Sequence, residues 1–138
     1  MKKVFLGGTC NESLWRNEII TMLDIDYFNP VVDDWTEDCM VEEKRQRESC
    51  DFCLYVITPK MTGVYAIAEV VDDSNKRPEK TIFVVIKEDE DITLGPKLGL
   101  SFTIDQLKSL NSVSKIITNN GGKVFDNLRD AAQFMNNN

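Results

Sequence analysis

The sequence contains no histidine. Without an imidazole side chain there is no Ser–His or Cys–His nucleophile pair and no histidine-ligated metal ion, so any chemistry has to use carboxylates, hydroxyls, amides or thiols. Long apolar runs are missing as well, since no segment approaches the about 20 apolar residues that a membrane-spanning helix needs. The basic and then apolar start is cut short by Gly7 and Gly8, too early for a secretion signal. We therefore expect a cytoplasmic protein that is not inserted in a membrane.

Positive charge is scarce. The 138 residues include 16 Lys and Arg against 23 Asp and Glu, which gives a net charge of −7. A protein that binds a nucleic acid polymer needs a basic surface that displaces counterions from the phosphates, and this sequence has no stripe of Lys and Arg. The length and the 42% content of hydrophobic residues are typical of one globular domain. We predict a single domain over residues 1–138 that does not bind a nucleic acid polymer.

Cysteine is present but is not arranged as a complete metal site. The four cysteines are Cys10, Cys39, Cys50 and Cys53, and only the last two have the spacing of a redox pair or of half a zinc site. In a reducing compartment, buried cysteines behaving as small hydrophobic residues are the favoured interpretation, and a redox function stays open. We expect no metal ion and no cofactor.

Strand-like and helix-like segments alternate along the chain. Short apolar runs predict strands at residues 4–6, 27–29, 52–57, 81–86 and 115–118. Helical periodicity or helix-favouring composition predicts helices at residues 14–23, 37–48, 64–71, 103–110 and 124–135, the fourth opened by a capping box. This alternation predicts an α/β fold, a flavodoxin-like parallel sheet of about five strands flanked by helices.

In such a sheet, ligands bind beyond the carboxyl ends of the strands, where residues 7–11, 30–35, 58–63 and the segment from residue 87 onward should meet. Glu69 is the lone charged residue among positions 64–71, in a helix that should border this edge. A carboxylate held partly away from water can act as a nucleophile or, if its pKa rises, as a general acid. A solvent-exposed helix glutamate remains the alternative.

Two loops at the same edge could bind a ligand. Asp33 and Asp34 stand beside an aromatic residue and could accept hydrogen bonds from a ring amine or a sugar, although a polar turn is the more usual explanation. Gly7, Gly8 and Thr9 would let backbone N–H groups approach a ligand, although a tight turn is the alternative. The charged segment 37–48 is interpreted as a largely solvated helix.

Several separated blocks resemble the nucleoside 2-deoxyribosyltransferase-like family, in particular its short bacterial and phage branch. The blocks are VFLGGTC at 4–10, WR at 15–16, FNPVVDDW at 28–35, LYVITP at 54–59, GVY at 63–65 and AE at 68–69. The likeness covers about residues 3–86, and GGKVF at 121–125 with Leu128 also fits that branch. The family's flavodoxin-like fold agrees with the pattern of elements above.

The resemblance implies cleavage of the N-glycosidic bond of 2′-deoxynucleosides, with transfer of the sugar to another nucleobase or to water. Glu69 matches the glutamate that attacks the anomeric carbon, Glu43 the acidic residue that holds sugar hydroxyls, and Asp34, with Asp33 beside it, a position that contacts the nucleobase. The aromatic residue of the first strand, whose hydroxyl supports the nucleophile in well-studied members, is Phe5 here. Tyr65, one turn before the nucleophile position, could substitute for it.

The implied partners are a small-molecule deoxynucleoside, a free nucleobase and further copies of the chain in a homo-oligomer. Two other functions stay open. An N-glycosidase acting on nucleoside 5′-monophosphates would need phosphate-binding groups, for which Thr9, Ser13 and Arg16 are the candidates near the first helix. A non-catalytic nucleotide-binding module with the same fold is the other alternative.

Overall fold

The computed structural model describes residues 1–10, 13–89 and 100–138. Residue 11, which belongs to the predicted cluster of loops at the sheet edge, lies outside the described residues. So does most of the predicted loop at 87–99. The elements are β1 Lys3–Gly8, α1 Trp15–Ile20, β2 Asp26–Phe28, α2 Glu37–Ser49, β3 Phe52–Ile57, α3 Tyr65–Lys76, β4 Thr81–Val85, β5 Glu88–Asp89, β6 Leu100–Ser101, α4 Ile104–Asn120, β7 Lys123–Phe125 and α5 Leu128–Asn137.

Five of the strands form a parallel sheet in the order β2-β1-β3-β4-β7, and β5 pairs with β6 in a separate antiparallel ribbon. Helices cover both faces of the sheet: α1 and α5 pack on one, α3 and α4 on the other. The sheet order and the flanking helices confirm the predicted α/β, flavodoxin-like fold. All six residues of β3 are buried, as expected for a central strand covered on both faces.

The end of β1 lies against the backbone of β3. Gly8 has a φ of +119°, and a Cβ atom built on it would stand 2.1 Å from the carbonyl oxygen of Val56. Only glycine fits a positive φ with a neighbouring backbone this close. Gly8 therefore lets β1 turn out of the sheet beside β3, at the edge where the loops gather.

The predicted strand at residues 115–118 is wrong, because these residues belong to α4. This helix begins with the predicted capping box between Thr103 and Gln106, but it continues to Asn120 instead of ending at Leu110. Leu110 and Ile117 are two turns apart on one helix face, and both are buried. Packing of this face against the sheet overrides the strand preference of a short β-branched run.

The predicted closing helix at residues 124–135 is wrong at its start. Val124 and Phe125 pair with β4 as part of the edge strand β7, and α5 begins only at Leu128, capped by the Asn127 side chain. A three-residue edge strand followed at once by a helix leaves too short an apolar pattern to distinguish the two from sequence.

In the described part of the chain, no helix combines the length and hydrophobicity that crossing a membrane requires. The cysteines are all free, but they are not all buried as the favoured interpretation expects. Cys50 and Cys53 are buried, Cys39 is half-buried, and Cys10 is exposed.

Candidate active site

A cleft of about 400 Å³ opens at the carboxyl edge of the sheet, beside β1 and β3. Its walls come from the loops after β1, β2 and β3 and from the facing sides of α2 and α3. The lining residues are Gly8, Thr9, Cys10, Pro30, Val31, Val32, Trp35, Glu43, Met61, Thr62, Gly63, Tyr65, Ala66 and Glu69. The structure therefore brings five of the predicted site residues into one cavity, and two of these are carboxylates.

Glu69 lies in the second turn of α3 and turns its side chain inward, with 14% of that side chain exposed. Burial raises the pKa of the Glu69 carboxyl to about 7, the nearby Arg47 opposes this rise, and the negative charges of Glu43 and Asp73 add to it. At neutral pH this carboxyl is therefore close to its midpoint of ionisation. A carboxyl in this state is suited to nucleophilic attack or to proton transfer.

Arg47, in the last turn of α2, contacts the Glu69 carboxylate. The distance between Arg47 Nη1 and Glu69 Oε2 is 3.5 Å, and only 12% of the arginine side chain is exposed. The same guanidinium binds Asp73, which is fully buried one turn further along α3. The Tyr55 hydroxyl of β3 also donates a hydrogen bond to Asp73, at 2.5 Å. Glu69 is thus linked through charged groups to the centre of the sheet.

Glu43 faces the same cleft from α2. Burial raises the pKa of its carboxyl, while a hydrogen bond from the Trp35 side chain and the charges of Arg47 and Arg16 lower it. Glu43 and Trp35 therefore contact each other in the wall of the cleft. The two cleft carboxylates come from different helices, so their proximity depends on how α2 and α3 pack on the sheet.

The loop after β1 is fastened by protein partners. The Thr9 N–H donates to the Val56 carbonyl at 2.9 Å, and the Thr9 hydroxyl accepts from the Thr58 N–H at 2.9 Å. The Thr9 carbonyl accepts from Trp15 Nε1 at 2.8 Å and from Arg16 Nη1 at 2.7 Å. Because the Thr9 N–H is already used inside the protein, this loop shapes the floor of the cleft and does not supply that group to a ligand.

Four of the predicted site residues do not line the cleft. Asp33 and Asp34 are exposed on the loop between two lining residues. Phe5 is buried in the core, with its ring stacked on Phe28 at 6.0 Å between centroids. Gly7 lies beneath the ring of Tyr55, and a Cβ atom there would come within 2.6 Å of it. Tyr65 does line the cleft, but it is 70% exposed.

Sequence reasoning missed the charged network behind Glu69. The prediction of a largely solvated helix at residues 37–48 is wrong for Gln46 and Arg47, which point inward, and α3 runs past its predicted end to include Asp73. One signal was available in the sequence: Tyr55 interrupts an otherwise apolar strand. A hydroxyl at the centre of a buried strand needs a hydrogen-bond partner. Asp73, four residues after Glu69, is that partner.

A second and larger cavity, of about 580 Å³, lies at the carboxyl ends of β4 and β7. It is lined by the apolar residues Val85, Leu110 and Phe125 and by exposed polar residues that include Lys87 and Asp130. It contains none of the predicted site residues. We assign the candidate site to the smaller cleft because the partly buried carboxylates Glu43 and Glu69 lie there. Within the described ranges, no group of three or more Cys, Asp or Glu residues is arranged to hold a metal ion.

Comparison with known proteins gives the family of the chain. No curated protein matches the sequence. A family model described as "Nucleoside 2-deoxyribosyltransferase like" matches residues 1–90, a span that includes β1, β3, both cleft carboxylates and Arg47. This span makes up most of the chain and carries the whole candidate site. The chain therefore belongs to the nucleoside 2-deoxyribosyltransferase-like family.

Proposed function

We propose that the protein is an enzyme that cleaves the N-glycosidic bond of 2′-deoxynucleosides and transfers the deoxyribosyl group to another nucleobase or to water. The observation that carries this proposal is the position of Glu69. Its carboxylate faces a ligand-sized cleft, is largely shielded from water and stands next to a guanidinium group. Membership of the family supports the class of reaction.

In the proposed first step, Glu69 is the catalytic nucleophile. One carboxylate oxygen bonds to the anomeric carbon C1′ as the C1′–N bond breaks, through an oxocarbenium-like transition state. The departing base takes the bonding electron pair and one proton from solvent. In the second step, a ring nitrogen of the incoming base attacks C1′, the glutamyl ester breaks, its electron pair returns to Glu69, and the incoming base releases one proton. Dividing one displacement into two lowers the barrier to each.

The other cleft residues fit binding of the sugar and the base. Glu43 can accept hydrogen bonds from sugar hydroxyls, and its contact with Trp35 fixes its direction. Val31, Val32 and Trp35 give one wall of the cleft an apolar surface for the flat face of a base. A role of Asp33 and Asp34 in contacting the base stays a prediction. Both residues are exposed at the rim of this wall.

The cleft favours a nucleoside over a nucleotide. Among its lining residues in the described part of the chain, none is Lys or Arg. The groups considered for a phosphate already have partners: Arg16 binds the carbonyls of Leu6 and Thr9, and Ser13 donates to Asp89 at 2.6 Å. A phosphate placed beside the Glu43 and Glu69 carboxylates would be repelled by them, and the nearby Arg47 is already bound to Asp73 and in contact with Glu69. The N-glycosidase acting on nucleoside 5′-monophosphates is therefore the less supported candidate.

We also propose that the protein assembles as a homo-oligomer. The rim of the cleft exposes large apolar side chains, with Trp35 at 56%, Val64 at 68% and Tyr65 at 70% exposure. Exposed apolar residues grouped around a site are typical of surfaces that another chain covers. Light scattering or sedimentation of the purified protein would test this, and a monomer at micromolar concentration would contradict it.

The activity itself is tested by incubating the protein with 2′-deoxyadenosine and a second free base and separating the products by chromatography. A new deoxynucleoside demonstrates transfer, whereas free deoxyribose without exchange demonstrates hydrolysis. A mass increase of the intact protein by one deoxyribosyl group, absent in Glu69→Gln, would identify the covalent intermediate. If no product forms and Glu69→Gln binds deoxynucleoside like the wild type, the non-catalytic binding module is the better interpretation.

The same assay separates nucleoside from nucleotide. With 2′-deoxyadenosine 5′-monophosphate as donor, we expect kcat/KM to be at least about tenfold lower than with the nucleoside, because no Lys or Arg among the described lining residues compensates the phosphate charge. A higher kcat/KM with the monophosphate would favour the alternative function.

A further inference from the structure

Arg47 is held by two hydrogen bonds to one carboxylate. Its Nη2 donates to Asp73 Oδ1 at 2.7 Å and its Nε to Asp73 Oδ2 at 3.2 Å. Such a two-bond contact fixes the plane of the guanidinium group as well as its position. The remaining nitrogen, Nη1, is the one that lies 3.5 Å from Glu69 Oε2. The direction of Arg47 toward Glu69 is therefore set by Asp73.

Asp73 is itself fixed from two other sides. The Tyr55 hydroxyl donates to its Oδ2, and Arg77 Nε donates to its Oδ1 at 3.1 Å. Both Asp73 and Tyr55 are fully buried, and Tyr55 belongs to the central strand β3. Because the anchor of Arg47 is part of the packed core, the guanidinium group has little freedom to swing away from Glu69.

The charges of this cluster leave one positive charge facing the cleft carboxylates, and Glu69 is the one in contact with it. Arg47 and Arg77 share the single buried carboxylate of Asp73. The neighbouring Asp72 is 44% exposed and also pairs with Lys76, so it compensates little of the buried positive charge. The charges of Arg47, Arg77, Asp73 and Glu69 sum to zero when Glu69 is ionised.

We propose that Arg47 is the positioning residue for the Glu69 nucleophile, which it holds by Oε2 so that Oε1 faces the anomeric carbon of the sugar. This inference rests on the proposed function. In that reaction, Arg47 acts twice without contacting the sugar. It orients the carboxylate for attack in the first step. In the second step, the C1′–Oε1 bond breaks and its electron pair returns to Glu69, and Arg47 stabilises the negative charge that reappears there.

The first-strand aromatic residue is Phe5, which has no hydroxyl to support the nucleophile, and it lies buried in the core. Among the described residues, Tyr55 contributes a hydroxyl to this network, and that hydroxyl contacts Asp73. Support of Glu69 therefore comes from an arginine on a neighbouring helix.

The test compares Arg47→Gln, Arg47→Lys and Arg77→Gln in steady-state exchange assays across pH. The groups that face Glu69 or share its cleft are Arg47 and Glu43 from α2, Asp73 and Tyr65 from α3, and Cys10 from the loop after β1. In Arg47→Gln we expect kcat to fall at least about 30-fold with KM within about threefold. We also expect the acidic limb of the pH–rate profile to move to higher pH, because the cation that favours ionised Glu69 is gone.

The other two variants separate positioning from stability. Arg47→Lys keeps the charge but cannot bind Asp73 by two bonds, so its acidic limb should stay near the wild-type position while kcat falls about tenfold. Arg77→Gln loses a bond to the same Asp73 carboxylate, so it should unfold at a lower temperature but keep the wild-type acidic limb.

Two outcomes would overturn the inference. One is an Arg47→Gln variant with wild-type kcat and an unmoved acidic limb. The other, decisive if Arg47→Gln does not fold, is an Arg47→Lys variant with wild-type kcat. If either result is found and Glu69→Gln is inactive, only the role of Arg47 is wrong and the proposed function stands. If Glu69→Gln is fully active, the proposed function itself is wrong.

Discussion

Two glutamate–arginine pairs at neighbouring positions of the fold behave in opposite ways. Glu42 and Arg45 pair on the outer side of α2 at 2.6 Å, with 41% and 62% of their side chains exposed. Glu69 and Arg47 pair between α2 and α3 at 3.5 Å, with 14% and 12% exposed. Hydrogen bonds from Arg45 and Gln46 lower the pKa of Glu42 to about 2, whereas burial raises that of Glu69 to about 7.

An arginine partner therefore does not by itself decide whether a carboxylate is ionised at neutral pH. At the surface, water solvates Glu42 and the two-bond contact adds to that solvation. In the cleft, Glu69 has lost much of its water, its contact with Arg47 is longer, and two further negative charges face it. The same kind of pair therefore gives an inert surface contact in one place and a reactive group in the other.

The largest expected difference between the pairs is in activity. Glu69→Gln should lower the rate of deoxyribosyl exchange by at least about 10³-fold, because an amide cannot form the glycosyl ester. The matched substitution Glu42→Gln should leave kcat/KM within about twofold of the wild type. Initial rates measured by chromatography check both, and circular dichroism checks that each variant is folded. Equal losses in the two variants would contradict the comparison.

Loss of the buried Asp73 should lower the free energy of unfolding more than loss of the exposed Asp72. Asp73→Ala leaves Arg47 and Arg77 without their shared buried carboxylate, which should lower the free energy of unfolding by about 3–5 kcal/mol. Asp72→Ala, one residue earlier and 44% exposed, should cost less than about 1 kcal/mol. Urea denaturation at pH 7 measures both values. Similar losses for the two substitutions would indicate that burial does not distinguish them.

The raised pKa of Glu69 predicts how stability depends on pH. The folded protein holds the Glu69 proton more tightly than the unfolded chain, so this group takes stability away as pH rises from about 4.5 to about 7. Glu69→Gln should therefore be as stable as the wild type near pH 4.5 and more stable above pH 7. With solvent screening, the gain should be about 1–3 kcal/mol. Thermal unfolding at pH 4.5 and pH 8 checks this, and a variant less stable at pH 8 would show the sign to be wrong.

The smallest effect belongs to the surface pair. The lowered pKa of Glu42 means that its contribution to stability is present above about pH 4.5 and is lost as pH falls toward 2. Because both partners are solvated, Glu42→Gln should change the Tm at pH 7 by no more than about 2 °C, and 1 M salt should remove the difference. A change that persists in 1 M salt would mean that the pair is less accessible to solvent than its exposure indicates.

The central part of the fold could be predicted because its segments carry strong local patterns. The apolar run of β3 and the capping box before α4 each identify their element without help from the rest of the chain. The region around residues 115–125 could not be predicted in this way. There, a β-branched run lies in a helix because Ile117 packs against the sheet, and a three-residue strand forms because β4 offers it an edge.

The candidate site also has one residue that could be predicted from the sequence and one that could not. Glu69 could be selected from sequence because it is the lone charge among positions 64–71 and because it matches a family position. Arg47 could not be selected, since it is one of many charged residues in a helix of almost uniformly polar composition. Which of those side chains turns inward depends on the place of α2 in the folded chain, where Arg47 meets Glu69 and Asp73 of α3.

The alternation of strands and helices up to β4, the glycine that lets β1 pass close to β3 and the carboxylate at the start of α3 can all be read along the chain. The environment of that carboxylate follows from the folded arrangement of the helices: the guanidinium beside it, the second carboxylate of the cleft, and the removal of water. Hydrophobic periodicity acts over a few residues and is readable along the chain, whereas burial and charge pairing between helices depend on distances that exist only after the chain has folded.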